Sequence, residues 1–198
     1  MDFDRHEDHP AGEPSIVVSD ALNENVRLAL ESGKTVWLRM RQPPATKDDR
    51  VAFSTIFWNT AYTGRQPPLT LGLLIDAKHP LFAAFPTQTH SNYQWWEIVK
   101  NARIMDLKKL PPDLRPIVQV IPDWFNPRRM GLCLEARVGK GKLLATSIDF
   151  DAPKPNLALR QLQHSILEYL KSDAFAPKKE VSYAMLENLE RPWNPSVQ

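Results

Sequence analysis

A strand, helix, strand succession near the start of the chain constrains its fold more than any other feature. Residues 15–19 (SIVVS) are a β-branched run, and Asp20 then offers an N-cap to an apolar helical pattern that stops at Gly33. Residues 35–40 (TVWLRM) form a second β-rich run directly after that glycine. Two strands joined through a helix are the unit that builds parallel sheets. The sequence therefore predicts an α/β fold with a mostly parallel sheet.

The second half of the chain predicts a hairpin followed by a helix. Residues 130–138 and 142–150 are strand-like runs on either side of a Gly-Lys-Gly at 139–141. This glycine pair lacks the third glycine and the following helix of a phosphate-binding loop, so a hairpin turn is the favoured interpretation. Residues 156–172 place apolar side chains at spacings of three and four. This periodicity predicts an amphipathic helix that packs on the sheet.

The chain divides into three parts. Residues 1–14 mix acidic side chains with histidine and proline and have no apolar period, which predicts a flexible leader. Residues 15–177 are expected to form a single domain, because 198 residues are ample for one sizeable core. Residues 178–198 are expected to form a C-terminal tail.

The charge balance disfavours two classes of partner. The net charge is only +2, which is too small for a surface that binds nucleic acid or an anionic membrane. The longest nearly apolar run, residues 69–75, is far shorter than the roughly 20 residues of a transmembrane helix. The polar, acidic first residues lack the basic and then apolar pattern of an export signal. We expect neither nucleic acid nor membrane as a partner.

The side chains that most often act as nucleophiles or metal ligands are poorly placed for either role. Cys133 lies inside a strand-like run, and Glu135 stands where a nucleophile elbow needs a small residue. A buried structural thiol is the favoured interpretation of Cys133. His79 and His90 are too far apart for a tight zinc motif. The sequence therefore predicts no metal site and no cofactor.

Asp76, His79 and His90 form the best polar cluster. Asp76 ends an apolar run, and ligands in open α/β sheets bind beyond the carboxyl ends of strands. This placement favours a ligand site. The alternative is that the two histidines fix loops through side-chain to backbone hydrogen bonds, which is the more frequent role of such residues.

Tryptophans supply a second kind of candidate site. Trp58, Trp95, Trp96 and Trp124 fall in loop-rich parts of the sequence. Aromatic faces serve as platforms for sugar rings, although burial is the commoner fate of a tryptophan. Adjacent side chains on a helix point about 100° apart, so we expect one member of the Trp95-Trp96 pair in the core and the other exposed. The candidate ligand-site residues are Asp76, His79, His90, Trp58, Trp95 and Trp96.

Residues 57–177 resemble the C-terminal region of bacterial glycoside hydrolases of family 2, the β-galactosidase-like enzymes with a sugar-binding domain. The matching segments are FWN at 57–59, LGLLIDAKHPLFAAFPTQTHSNYQWW at 71–96, PIVQVI at 116–121, LEARVGKGKLLATSIDF at 134–150 and RQLQHSILEYLKSDAFAP at 160–177. The most specific part is HPLFAAFPT followed by QWW. The hairpin and the closing helix are similar to those of class I glutamine amidotransferases. The resemblance implies an amidotransferase-like (flavodoxin-like) three-layer α/β sandwich.

The departures from these families bear on activity. Cys133 is not in the GxCxG elbow of an amidotransferase, and His164 is followed by Ser165 and Ile166 instead of the family's HxE. The barrel that carries the catalytic glutamates of family 2 has no counterpart here, so no catalytic residue is carried over.

The resemblance implies a non-catalytic accessory module that packs on other domains of an exported parent hydrolase and contributes to carbohydrate recognition. Two alternatives remain open. The chain is a hydrolase in its own right that uses Asp76, His79 and His90, or it is a purely structural or oligomerising domain.

Overall fold

The structure, a computed structural model, describes residues 15–41, 50–53, 70–123, 127–151 and 156–189. These residues form a mixed α/β domain with one open sheet of seven strands and helices on both faces. The strands are β1 (Ile16–Ser19), β2 (Thr35–Arg39), β3 (Thr70–Ile75), β4 (Met105–Asp106), β5 (Val118–Pro122), β6 (Met130–Val138) and β7 (Gly141–Thr146). The α-helices are α1 (Glu24–Glu31), α2 (Tyr93–Val99), α3 (Leu157–Lys171) and α4 (Tyr183–Leu186), and Pro80–Phe82 form a 3₁₀ turn.

The sheet is mixed. Its strand order is β1-β2-β7-β6-β5-β3, with β4 beside the start of β6. β1, β2 and β7 are parallel, which confirms the predicted strand, helix, strand unit. β7, β6, β5 and β3 are each antiparallel to the next, so the expectation of mostly parallel pairing holds only in the β1-β2-β7 half. The two-residue turn between β6 and β7 forces these strands to be antiparallel.

The predicted hairpin is confirmed, but β7 ends at Thr146 instead of continuing to residue 150. Beyond Thr146 the chain pairs with the segment that follows α2. The Arg103 amide donates to the Ser147 carbonyl over 3.0 Å, and Ala102 forms an antiparallel bridge with Ile148. The residues after β7 therefore belong to a second set of backbone contacts at the end of the sheet.

Two hydrophobic cores lie on opposite faces of the sheet. α2 and α3 cover one face through side chains such as Ile98 and Ile166. α1 and α4 cover the other face through side chains such as Leu30 and Leu186. Because successive strand residues point to opposite faces, the central strands β6 and β7 contribute to both cores.

Three helices begin at asparagine caps. The side chains of Asn23, Asn92 and Asn156 each accept a hydrogen bond from the backbone N–H three residues further on. The prediction that Asp20 caps α1 is wrong, because its carboxylate pairs with Arg39 and the helix begins three residues later. None of the helices in the described residues is long and apolar enough to cross a membrane.

Candidate functional site

A cleft of about 380 Å³ opens where the parallel strands end. We call this end of the sheet the carboxyl edge, since β1, β2 and β7 all run towards it. Met40 and Arg41 follow β2 and line one side of the cleft, and Ser147 and Asp149 follow β7 and line another. The charged and amide side chains of this carboxyl-edge cleft are Arg41, Arg50, Lys100, Asn101, Arg103 and Asp149.

Hydrogen bonds to backbone carbonyls fix the walls of the cleft. The Asp149 amide donates to the Asn101 carbonyl over 2.7 Å, and the buried Ser147 hydroxyl donates to the Arg103 carbonyl over 2.7 Å. Arg50 forms an antiparallel bridge with Arg103. Three segments distant in sequence are thereby held together at one edge of the sheet.

The lining of the cleft is cationic. Four lining side chains carry a positive charge and one carries a negative charge. The rim is electrostatically balanced, because Arg41 contacts the carboxylates of Asp20 and Asp151, each at 2.6 Å, and Arg39 pairs with the same two residues. This network holds Arg41 in place at the rim of the cleft.

An aromatic side chain lies beside the cleft. The Lys100 ammonium, which lines the cleft, is 5.8 Å from the centroid of the Trp96 ring. The Phe53 ring also contacts the Trp96 ring, with centroids 5.7 Å apart. Trp96 is 37% exposed, so part of its surface is open to solvent beside a polar cleft.

The two adjacent tryptophans divide as predicted. Trp95 is fully buried and donates its indole N–H to the Thr87 hydroxyl over 2.7 Å. A buried indole cannot stack on a ligand, so Trp96 is the member of the pair that remains a candidate platform. Trp58 and Trp124 lie outside the described residues.

The polar cluster predicted from the sequence lies at the other edge of the sheet. β3 is antiparallel to β5, β5 to β6 and β6 to β7, so β3 runs opposite to the three parallel strands. Asp76 follows β3 and therefore lies away from the carboxyl edge, and the strand-end argument that favoured it was wrong. His90 is exposed and pairs through its backbone with Leu74. Within the described residues, no side-chain hydrogen bond joins Asp76, His79 and His90.

His79 fixes a loop, which confirms the alternative interpretation of that residue. Its Nδ1 accepts a hydrogen bond of 3.2 Å from the Leu81 amide and so caps the 3₁₀ turn. Its Nε2 lies 3.7 Å from the Glu135 carboxylate, which also accepts a 2.6 Å hydrogen bond from the Tyr169 hydroxyl. Burial, and then the hydrogen bond to Glu135, raises the pKa of Tyr169. Tyr169 therefore stays a neutral donor, and the three side chains tie α3 to the sheet.

The protein matches a known family over nearly its whole length. Residues 17–191 fit a family described as a domain of unknown function, DUF8487. The chain belongs to the DUF8487 family. No curated protein matches it. In the described part of this DUF8487 domain, His, Cys, Asp and Glu side chains form no group of three that could hold a metal ion.

Cys133 is a buried structural thiol, as the sequence predicted. It packs in the core beneath α3, and burial, with a smaller contribution from Glu135, raises the pKa of the thiol. We expect iodoacetamide at pH 8 to leave the folded chain unlabelled and to modify Cys133 in urea, as measured by the added mass. Labelling of the native chain as fast as the unfolded one would contradict this placement.

The cleft residues were missed by sequence reasoning because they come from separate segments. Arg41 follows β2, Arg50 begins the segment 50–53, Lys100 to Arg103 follow α2, and Asp149 follows β7. One signal was available for one wall of the cleft: the polar Arg41 directly follows the strand run at 35–40. These residues meet because of which strands are parallel neighbours in the sheet. That arrangement is a non-local property, which neighbouring residues in the sequence do not specify.

Proposed function

We propose that this DUF8487 domain is a non-catalytic accessory module of a carbohydrate-degrading glycoside hydrolase and that it binds carbohydrate in the carboxyl-edge cleft. The cleft itself carries the proposal. It combines hydrogen-bonding side chains with a partly exposed tryptophan at its side, a combination suited to hydroxyl groups and to the apolar face of a sugar ring. Open α/β sheets bind ligands at this edge.

The resemblance to family 2 hydrolases supplies the accessory role and the finer fold. The module has an amidotransferase-like, flavodoxin-like three-layer arrangement in this proposal. The parallel β1-β2-β7 half, with helices on both faces of the sheet, supports that arrangement.

The structural roles of the potentially reactive side chains support a non-catalytic function. Cys133 is fully buried, and His79 uses one ring nitrogen to cap a turn. Asp76 and His90 are exposed, and no side-chain hydrogen bond joins either of them to His79 in the described residues. A general base needs a nucleophile within hydrogen-bond reach. In the described residues no side-chain hydrogen bond joins Asp76 or His90 to a nucleophile, and burial raises the pKa of the Tyr169 hydroxyl that donates to Glu135, which keeps that hydroxyl protonated.

An open apolar surface supports packing on other domains of a parent enzyme. Leu74 on β3 and Ile121 on β5 are 53% and 36% exposed. The pairing of Gly72 with Ile121 places Ile121 on the same face of the sheet as Leu74. A full-length polypeptide without a catalytic barrel would contradict the accessory role.

Tryptophan fluorescence tests carbohydrate binding. We expect the full chain to show a saturable change with at least one member of a panel of galactosides, glucuronides and plant or host oligosaccharides. Chromatography of the same samples should detect no product. Trp96→Ala should abolish the saturable change, whereas Tyr93→Ala, which removes an exposed aromatic from the same helix, should preserve it.

Two results would contradict the proposal in different ways. The absence of both a fluorescence change and a product would leave a structural or oligomerising domain. Formation of product would make the chain an enzyme. His79→Ala and His90→Ala would then test whether the active site lies at the opposite edge of the sheet. Replacing a catalytic histidine lowers turnover, whereas replacing a histidine that fixes a loop lowers stability.

A further inference from the structure

The charge of the chain divides unequally between the leader, residues 1–14, and the remainder. The leader carries five carboxylates and one arginine, which gives a formal net charge of −4. The whole chain has a net charge of +2, so residues 15–198 carry +6. Opposite net charges on two parts of one chain attract each other, most strongly at low salt. The leader is therefore a partner for a basic surface within its reach.

Three lysines lie together at the amino edge, the end of the sheet where β1, β2 and β7 begin. Lys34 directly precedes β2, Lys140 occupies the β6-β7 turn, and Lys142 is the second residue of β7. The Lys142 amide donates to the Lys34 carbonyl over 3.1 Å. A Cβ atom at Gly33 would lie 3.7 Å from the Cβ atom of Lys140. These contacts bring the three lysines next to one another, and we call them the amino-edge patch.

The described residues do not neutralise this patch. Lys34 and Lys140 are exposed, and neither forms an ion pair with a carboxylate of the described segments. The Lys142 ammonium donates to the Phe175 carbonyl over 2.8 Å. A carbonyl oxygen is a neutral partner, so the positive charge of Lys142 also remains uncompensated there.

Acidic residues on the segments around the amino-edge patch have basic neighbours of their own. Examples are Glu31 with Arg27, Glu180 with Arg137 and Asp113 with Lys179. These carboxylates are offset by their own partners. The charge of the patch is thus left for another acidic group.

The leader joins the domain beside the patch. Ile16 lies opposite Thr35 in the parallel pairing of β1 with β2, and Thr35 follows Lys34 directly. Neighbouring strands are about 4.8 Å apart. Glu13 comes three residues before Ile16, a length of chain that spans up to about 10 Å. The other four leader carboxylates have more chain between them and β1, so they reach the patch as well.

We infer that the acidic leader docks on the amino-edge patch of its own chain, with its carboxylates beside Lys34, Lys140 and Lys142. The contact is a set of exposed ion pairs, each of which is weak. Attachment at β1 keeps the leader at a high effective concentration beside the patch, so several weak pairs act together. The patch and the carboxyl-edge cleft lie at opposite edges of the sheet, so this inference is independent of carbohydrate binding.

Carbodiimide cross-linking of the full chain, followed by mass spectrometry of its peptides, tests the docking. The reagent joins a carboxylate directly to an amine, so it reports groups in contact. We expect links from leader carboxylates to Lys34 or Lys140 at low salt. These links should fall several-fold at about 1 M salt, where the Debye length is about 3 Å. A mixture of unlabelled and nitrogen-15-labelled chains should show that the links form within one chain.

Charge variants of the full chain locate the contact by NMR. Neutralising the leader should shift the amide signals of residues 33–35 and 139–142 and leave those of residues 99–103 unchanged. The leader changes, made together, are Asp2→Asn, Asp4→Asn, Glu7→Gln, Asp8→Asn and Glu13→Gln. In the converse experiment, Lys34→Gln with Lys140→Gln should move the amide signals of the leader towards their high-salt positions.

Lys109→Gln is the matched control for the lysine variants. Lys109 is an exposed lysine that follows β4 towards the start of β6, away from the amino edge. Its replacement removes the same charge from the domain, so it should leave the leader signals and the cross-links unchanged. An equal response to both sets of lysine changes would indicate a general charge effect and would overturn docking at the patch.

Other outcomes would overturn the inference in distinguishable ways. Links from the leader only to lysines outside the patch would place the leader elsewhere on the domain. Links mainly between labelled and unlabelled chains would make a second copy the occupant of the patch. The absence of leader links at low salt, together with unchanged signals at residues 33–35 and 139–142 in the neutralised leader, would show that the leader does not dock.

Discussion

Trp95→Ala is expected to destabilise the domain by about 4 kcal/mol. The Trp95 side chain is fully buried between α2 and the 3₁₀ region, with its ring centroid 6.2 Å from that of Phe82 and 5.8 Å from that of Phe85. Its indole N–H also donates to the Thr87 hydroxyl. The alanine variant loses this buried surface and leaves a cavity, and the Thr87 hydroxyl loses its partner. Urea denaturation followed by circular dichroism measures the loss.

Trp96→Ala is the matched control, since it removes the same side chain from the next position of the same helix. Trp96 is 37% exposed, and its contacts in the described residues include the Phe53 ring and the Lys100 ammonium. We expect a loss of at most about 1 kcal/mol, in line with substitutions at partly exposed positions. Equal losses for the two variants would contradict the assignment of one tryptophan to the core and the other to the cleft side.

Gly141→Ala is expected to cost about 3 kcal/mol, because it forces two backbones apart. A Cβ atom at this position would lie 2.7 Å from both the Cα atom and the carbonyl oxygen of Leu30 in α1. These are backbone atoms of a packed helix and cannot rotate away. Gly141 is therefore required for α1 to lie against the start of β7, and its replacement should lower the urea midpoint.

Gly139→Ala is the control for Gly141→Ala. It shows whether the loss of stability comes from the close approach of α1 or from replacing any glycine of the turn. Gly139 has a φ of +57°, and a Cβ atom there would meet nothing within 4 Å. Only the cost of the left-handed backbone remains, which is about 1 kcal/mol. A larger loss for Gly139→Ala than for Gly141→Ala would contradict this division of roles. A larger loss for Gly141→Ala than for Gly139→Ala would indicate that the Gly-Lys-Gly sequence serves folding. Gly139 makes the turn, and Gly141 leaves room for α1 to pack.

The parts of the fold that depend on local chemistry could be predicted from the sequence. The opening strand, helix, strand unit follows from β-branched runs and a stop at Gly33, and the hairpin follows from two runs flanking a glycine turn. The long helix α3 follows from its apolar spacing. Each of these elements is specified by neighbouring residues, so no knowledge of distant contacts is needed.

The position of the candidate site could not be predicted, because it depends on strand direction. The sequence of residues 70–75 does not indicate whether β3 runs parallel or antiparallel to β7. The strand-end argument for Asp76 assumed that they were parallel, and they are antiparallel. The same limit applies to the tryptophan pair. The helix predicts that the two side chains diverge, but Phe82, Phe85 and Thr87 decide which of them is buried.

Asp20 shows how a local signal can be overridden. Aspartate before a helical pattern is a good N-cap by preference. Here its carboxylate pairs instead with Arg39, the last residue of the neighbouring strand, and with Arg41 just beyond it. Asn23 takes the capping role instead. The charged network that results belongs to the rim of the cleft and not to the helix.

Chemical-shift mapping tests the central claim most directly. The full chain, labelled with nitrogen-15, would be titrated with the oligosaccharide that gives the largest fluorescence change. We predict that the shifted amide signals cluster at residues 99–103 and 147–151 and at the Trp96 indole. Signals of residues 76–79 should stay unchanged. Shifts confined to the loop around His79 and His90, or no shifts with any glycan of the panel, would contradict binding in the carboxyl-edge cleft.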